Sequence, residues 1–384
     1  MRVTRLILKN WRNFRNVDVP LRKRQFIIGP NASGKSNLLD AFRFLRDIAR
    51  LEGGGLQAAI KKRQGVSKLR CLAARRDPEI AIEVHLADGS EDEPRWRYAI
   101  GIRQETRGNR QPILSYERVW RGDTLLIQRP DAEDAQDTER LKQTYLEQIN
   151  ANKDFREISR FFESITYLHL IPQLIRHEEG FAGATRFEDD PFGQGFLERV
   201  AATPVKYQRS RLKKIEQGLR VAIPQLKELQ LERDPATGKP HLAALYSHWR
   251  PKAGKQREDQ FSDGTLRLIG LLWVMLESES LLLLEEPELS LNAAIVAKLA
   301  GLFHRTQRDR RRQILVSTHS YDLLNDPGID GSEVMLLAPN AEGTSVQISS
   351  DIESVRTLME TGLTPAEAAL PRVRPSELEQ LRLL

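Results

Sequence analysis

Cysteine is nearly missing from this sequence: Cys71 is the only one in 384 residues. A single thiol excludes an intrachain disulfide and argues against a cysteine-based metal site. Long apolar runs are missing as well. None approaches the roughly 18 residues of a membrane span, and a run such as Leu281–Leu284 ends in acids. The opening residues Met1-Arg2-Val3-Thr4-Arg5 have no apolar secretory core. There is no sustained heptad pattern, internal repeat or low-complexity tract, so a coiled-coil rod is not expected. These absences lead us to expect a soluble cytoplasmic protein with no membrane partner. A strong charge bias is also lacking: 59 basic residues face 53 acidic ones, for a net charge of +6 and an isoelectric point near 9.4. That surplus is compatible with nucleic acid without establishing it. Basic residues cluster at Lys61–Arg63, Arg75–Arg76, Arg209–Lys214 and Arg305–Arg312, and each cluster taken alone reads as a solvated face.

What is present begins with residues 29–36: Gly29, Pro30, Asn31, Ala32, Ser33, Gly34, Lys35 and Ser36. The pattern G-x-x-x-x-G-K-S is a phosphate-binding loop. Its glycines let the backbone curl so that amide N–H groups point at a phosphate chain. Lys35 supplies a positive charge and the Ser36 hydroxyl suits Mg²⁺. The context agrees, since Gln25-Phe26-Ile27-Ile28 suits a buried strand. Leu38, Leu39, Phe42, Leu45 and Ile48 then have helical spacing, and a helix N-terminus favours an anion.

The rest of the chain alternates in character. Residues 3–9 read as a half-exposed strand, followed by the turn N-W-R-N-F-R-N at 10–16. Val17–Val19 and the strand before the loop are expected to complete a hairpin. Between 79 and 129, alternating runs separated by turn signals predict an antiparallel sheet of three to five strands. Residues 131–163 read as helical. Ile165–Ile171 reads as a strand, and 174–258 as mostly helical and basic with one hairpin near 229–246. Leu266–Leu276 reads as an apolar helix, Leu281–Leu284 as a buried strand and Asn292–Arg308 as an amphipathic helix. Gln313–Ser317 reads as a second buried strand. A terminal hairpin, a short helix and a proline-containing tail close the chain.

Three further stretches carry chemistry. Leu281–Leu284 followed by Glu285 and Glu286 delivers two acids at the end of a buried strand, where ligands sit in open α/β sheets. The plainer reading is a first helical turn favoured by acids. Ser262-Asp263-Gly264 opens the helix near 266. It suits either an ordinary N-cap or an anion site, and the chemistry of the residues does not separate the two. Ser317-Thr318-His319-Ser320 follows a strand, with His319 either an incidental loop residue or a donor to a terminal phosphate.

In this order (phosphate loop, F-S-D-G-T-L-R-L-I-G-L-L, L-L-L-L-E-E-P-E-L-S-L, I-L-V-S-T-H-S) the motifs resemble the ATP-binding cassette ATPases. With N-W-R-N-F-R-N near the start, the chain is most similar to the RecF and SMC-like heads and their stand-alone ATPase relatives. The resemblance spans nearly the whole chain. It implies an α/β fold: a P-loop NTPase head with a parallel core sheet, an antiparallel β subdomain and a helical lobe. Residues 1–173 would form an N-terminal ATPase lobe, 174–258 the helical lobe and 259–384 the C-terminal ATPase part. It further implies that Lys35 and the backbone of residues 31–37, ending at Asn37, hold ATP phosphates. Ser36 and Glu285 would bind Mg²⁺, and Gln173 is the candidate for the glutamine reaching the metal. Glu286 would act on water, and His319 would sense the γ-phosphate. Ser262, Asp263 and Gly264 would complete the site of a second copy, so ATP would bind between two heads of a head-to-tail homodimer. Arg12, Asn13 and Phe14 are expected near the nucleotide.

Two departures stand out. Transporter ATPases carry Asp where this chain has Glu285, a variant that suits the RecF-like branch. Relatives often carry His where this chain has Asn292, so the resemblance carries no contact across the dimer at that position, while hydrolysis is unaffected. The resemblance leaves two functions open. One is a DNA-associated ATPase of repair or genome maintenance. The other is the ATPase subunit of an anti-phage or toxin system with a separate effector protein, since little chain follows Thr318-His319-Ser320. A transporter ATPase fits poorly with the N-W-R-N-F-R-N and F-S-D-G-T stretches, and a full SMC protein does not fit this length.

Overall fold

In the computed structural model, residues 1–89, 93–105, 110–176, 192–250, 254–277, 280–310 and 312–374 are described. The proline-containing tail beyond 374 and part of the basic cluster Arg305–Arg312 lie outside them. The chain opens with β1 (Arg2–Trp11), β2 (Phe14–Pro20) and β3 (Arg24–Ile28). β1 and β2 alternate between buried and solvent-facing residues and pair antiparallel down to Trp11 opposite Phe14. β3 does not join them, contrary to the expected hairpin. Phe26, Ile27 and Ile28 are apolar on both faces and fully buried, which suits the interior of a parallel sheet.

The next strands are β4 (Ile80–Ala87), β5 (Trp96–Gln104), β6 (Pro112–Arg121) and β7 (Thr124–Arg129). They extend the first hairpin into one six-stranded antiparallel sheet, ordered β2-β1-β4-β5-β6-β7. The number of strands between 79 and 129 is within the expected range. The capture of β1 by β4 is a long-range pairing that local spacing does not carry. Residues 131–163 form short helical pieces, with one regular helix at Arg156–Glu163.

β8 (Thr166–Leu168) is shorter than the expected strand. It is followed by β9 (Leu226–Arg233), β10 (Pro240–Tyr246) and β11 (Lys255–Arg257), which form a three-stranded antiparallel sheet. The stretch expected to be mostly helical therefore contains a sheet as well as the 18-residue helix Val205–Ala222. β12 (Leu282–Glu285), β13 (Ile314–Ser317), β14 (Val334–Asn340) and β15 (Gly343–Ile348) complete a second six-stranded sheet, ordered β15-β14-β3-β13-β12-β8. In it β3 runs parallel to both β13 and β14, and β15 returns antiparallel along β14.

By internal contacts the chain divides into two units. One is Met1–Thr166, Glu279–Leu283 and Phe303–Leu384; the other is Tyr167–Ser278 and Leu284–Leu302. Among the described residues no helix is long and apolar enough to cross a membrane.

Candidate nucleotide site

In the first unit, residues 29–34 leave the carboxyl end of β3 and lead into the helix Lys35–Ala49. The turn depends on left-handed backbone, at φ +62° for Ala32 and +96° for Gly34. A side chain at Gly34 would lie 2.2 Å from the Asn13 amide, and one at Gly29 would meet Ser33 Oγ at 2.5 Å and the Leu337 carbonyl at 2.8 Å. Gly29 is thus set by close approach, and Gly34 by close approach and by conformation. Lys35 folds its ammonium back over the loop, donating to the carbonyls of Gly29 at 2.9 Å and Pro30 at 3.2 Å.

The residues fit an anion. The helix has no acid in its first turn and no side-chain cap, so its leading N–H groups lack a cap of the usual kind. The Ser33 hydroxyl is buried without a hydrogen-bond partner. Ser36 and Asn37 follow in the first helical turn, as the motif requires.

The β1–β2 turn clamps this loop. Asn13 Nδ2 donates to the Ser33 carbonyl at 2.8 Å and to Thr344 Oγ1 at 2.7 Å, while its Oδ1 accepts from Asn37 Nδ2 at 2.8 Å. The Trp11 indole N–H donates to the Asn37 carbonyl at 2.8 Å. Arg12 reaches Asp40 at 3.0 Å, and Arg63 grips Asp40 and Asp47 with contacts of 2.8 and 2.9 Å. Burial pushes the Asp40 carboxyl up, but the guanidinium groups of Arg63, Arg43 and Arg12 together outweigh it and hold its pKa below the ordinary value. Phe14, expected near the nucleotide, is fully buried and belongs to the core. Beside the turn lies a cleft of about 480 Å³ lined by Arg12, Asn13, Asn37, Lys68, Arg70 and Leu72, among others.

His319 belongs to the same unit. Parallel register sets Ser317 of β13 beside Ile27 of β3, and the Thr318 N–H donates to the Ile27 carbonyl at 3.1 Å. His319 therefore leaves the sheet at the edge where the phosphate loop begins, and its side chain is exposed. Ser320 caps the short helix that follows, accepting from the Leu323 N–H at 3.3 Å.

The second unit carries the acids and the Ser-Asp-Gly stretch. Glu285 ends β12 and accepts a hydrogen bond from the Tyr167 hydroxyl, a partner that sequence did not single out. The His169 ring lies 3.3 Å from the Glu285 carbonyl. Glu286 has φ +45°, a left-handed turn immediately after the strand. Its carbonyl accepts from the Leu289 N–H at 3.2 Å.

Ser262 opens the helix Asp263–Glu277. Its hydroxyl accepts from the Thr265 N–H at 3.2 Å, which is the geometry of an N-cap. A side chain at Gly264 would lie 2.6 Å from the Ser290 carbonyl, so the start of this helix sits against the turn after Glu286. Asp263 accepts from Gln173 Nε2 at 2.9 Å and pairs with Arg176 at 2.5 Å. The candidate glutamine, on the short helix Pro172–Arg176, is thus bonded to the Ser-Asp-Gly stretch through its amide nitrogen.

Arg267, one turn further on, is buried, and its guanidinium lies 3.5 Å from the Glu286 carbonyl. Burial lowers its pKa against the raising influence of Glu288, Asp263 and Glu286. Asn292 Oδ1 accepts from the Ala294 N–H at 2.9 Å and so starts the helix Ala293–Arg310. Among the described residues there is no group of three or more His, Cys, Asp or Glu placed to hold a metal. Mg²⁺ commonly relies on one or two protein oxygens with substrate phosphate and water, and the Ser36 hydroxyl of the first unit is a donor of that kind.

These features can be set against known proteins. The family model described as "AAA domain, putative AbiEii toxin, Type IV TA system" matches residues 26–325. A second, described as the P-loop containing region of an AAA domain, matches residues 3–45. No curated protein matches the chain. Among solved structures, an Smc head bound to the C-winged helix domain of ScpA superposes with a TM-score of 0.54 at 15% identity, covering 90% of this chain and 98% of the other. The SMC head domain from Thermotoga maritima gives 0.49 at 16% identity, with 91% and 99% covered. The first of these likenesses shows an SMC-head fold, and the family model supplies membership. The chain belongs to the AAA-domain P-loop family of the AbiEii type, with an ATPase domain of SMC-head-like fold.

Proposed function

We propose that this chain binds and hydrolyses ATP and uses the cycle to pair with a second copy of itself, in association with DNA. The observation that carries the nucleotide reading is the Lys35 ammonium drawn over the left-handed loop by the Gly29 and Pro30 carbonyls. Those two hydrogen bonds can be exchanged for stronger, charge-assisted ones to phosphate oxygens. Lys35 and the backbone of Asn31 to Asn37 hold the phosphates. The cleft beside Arg12, Lys68 and Arg70 receives the nucleoside, with Leu72 (95% exposed) offering an apolar surface to a base.

Ser36, Glu285 and Gln173 are the residues that would hold Mg²⁺. The ion, when bound, supplies positive charge that offsets the charge of the phosphates. Glu286 orients and accepts a proton from the attacking water, and His319 donates to the γ-phosphate. Catalysis then rests on positioning and charge neutralisation rather than on a covalent intermediate. Ser262, Asp263 and Gly264 act on the nucleotide of a second copy, so that ATP joins two heads and hydrolysis releases them.

Glu286→Gln separates binding from chemistry. With ATP, the variant should run at twice 43.9 kDa by light scattering and release phosphate at least 100-fold more slowly than the parent. A monomer under those conditions contradicts the pairing. Undiminished phosphate release contradicts the assignment of Glu286. The family description favours a second reading, the ATPase subunit of a toxin system with a separate effector. Growth arrest on co-expression with a neighbouring gene, changed by Glu286→Gln, would support it.

A further inference from the structure

The helix Val205–Ala222 carries six basic residues and one acid. Leu212, Ile215 and Leu219 are buried and fix which face packs inward. Glu216, the acid, is already committed. It pairs with Arg220 at 2.7 Å and accepts from the Leu229 N–H at 3.0 Å. Arg211 is committed too, lying over the Trp273 ring and donating to the Glu277 carbonyl. The remaining four, Lys206, Arg209, Lys213 and Lys214, are all exposed. At 3.6 residues per turn Lys206, Lys213 and Lys214 lie with Ser210 and Gln217 on the side opposite the buried stripe, and Arg209 lies on the flank beside them. Among the described residues no ion pair engages any of the four.

Two things distinguish this face from an ordinary solvated helix. Surface helices usually intersperse charges of both signs, because (i, i+4) pairs support the helix; here four cations stand with no acid among them. One of them, Lys206, also lies in the first turn of the helix. There the macrodipole disfavours positive charge, and neither an acid in the first turn nor a side-chain cap offsets it. The sequence accepts a local cost that folding does not require, which is the pattern expected of a functional surface. An exposed Tyr207 accompanies the row.

We propose that this face docks on the phosphate backbone of duplex DNA, with Lys206, Arg209, Lys213 and Lys214 as the contacting cations. The inference rests on the DNA-associated reading above and names the surface that serves it. Lys206 and Lys213 are seven residues apart, about 10 Å along the axis. Successive phosphates of one strand rise about 3.4 Å each, so the row spans about three of them.

The test uses the full chain and a fluorescein-labelled 30-base-pair duplex of arbitrary sequence. Anisotropy is followed from 50 to 200 mM salt, with and without ATP. The variant replaces Lys206, Arg209, Lys213 and Lys214 by Gln, which keeps helix propensity. A second variant, with Lys206→Arg, Lys213→Arg and Lys214→Arg, keeps the charge. The parent should show a steep linear fall of log affinity with log salt. Every phosphate deprived of its cation should take about 0.9 off that slope. The Gln variant should therefore have a slope shallower by about 3 to 4 units and bind at least 100-fold more weakly at 100 mM salt, while the Arg variant matches the parent.

If the parent binds and the Gln variant binds equally well with the same slope, the assignment of this surface falls and the DNA reading survives. If the parent binds no duplex under any condition, both fall, and an acidic protein partner becomes the occupant to seek. If the Arg variant is as weak as the Gln variant, charge is not what the face contributes and the proposal fails.

Discussion

At the residue scale, Glu147 shows how burial alone makes an ionisable group sensitive to conditions. Its carboxylate accepts from the Leu56 N–H at 2.6 Å, under the Gly53-Gly54-Gly55 turn. Burial raises its pKa to about 7 against those hydrogen bonds, and the nearby Glu117 adds to the rise. The folded chain therefore holds this proton more tightly than the unfolded chain does. Below pH about 4.5 both states are protonated and the group costs nothing. As pH rises from there to about 7, the unfolded state releases the proton first, and stability falls by up to about 3 kcal/mol. Glu147→Gln keeps an acceptor for the Leu56 N–H and removes the titration. Urea unfolding at pH 5 and pH 8 should show the variant losing distinctly less stability across that interval than the parent. Some fall will remain, because the fully buried Glu117 is raised as well, by burial first. Identical pH profiles in the two proteins would show that Glu147 does not titrate in this range.

At the element scale, the start of the helix Asp263–Glu277 is fixed by backbone proximity, and a methyl group measures how much that matters. A side chain at Gly264 would lie 2.6 Å from the Ser290 carbonyl, a backbone atom that cannot rotate away. Gly264→Ala should cost about 1–3 kcal/mol as an overpacking change. If the Ser-Asp-Gly stretch serves a second copy, the same substitution in a Glu286→Gln background should also weaken ATP-dependent pairing by at least tenfold, measured as the dimer dissociation constant. Full pairing with ordinary stability would remove this turn from the interface.

Elements of this kind differ in how far sequence exposes them. The phosphate loop was legible because its chemistry is local: residues 29–36, the buried β3 and the helical spacing after it are all contiguous. The buried strands that carry Glu285 at the end of β12 and lead to His319 after β13 were legible for the same reason. Tyr167 on Glu285 and Asn13 on Thr344 bridge gaps of 118 and 331 residues, and no local pattern announces such pairs. The fully buried set of Arg129, Glu117 and Asp134 escaped for another reason: charges read from sequence are expected at the surface.

At the scale of the whole molecule, the class of fold followed from the order of the motifs and the resemblance they carry. The strand order did not, because β1 joins β4 and β14 joins β3 over long separations. The three-stranded sheet β9–β11 was partly hidden, since β11 is only three residues long. Nucleotide linkage tests the chain as a whole. A ligand that binds only the folded state stabilises it by about 2.7 kcal/mol at 100 times its dissociation constant. For chains of 150–250 residues each kcal/mol is worth about 2–4 °C in Tm, and a 384-residue chain sits at or below the low end of that range. Saturating ATP with Mg²⁺ should therefore raise the melting temperature by several degrees in the parent and in Glu286→Gln. Lys35→Ala removes the cation that the phosphates would engage. A hydrogen bond to a charged group is worth about 1.5–3 kcal/mol, so its loss should weaken ATP binding about 10- to 100-fold. At the same ATP concentration the shift should then fall to about half for a tenfold loss and nearly vanish for a 100-fold loss, while the melting temperature without nucleotide stays within about 2 °C of the parent. A shift that Lys35→Ala leaves undiminished would place the nucleotide elsewhere than on this loop. A parent that shows no shift with ATP would leave the loop without its proposed ligand.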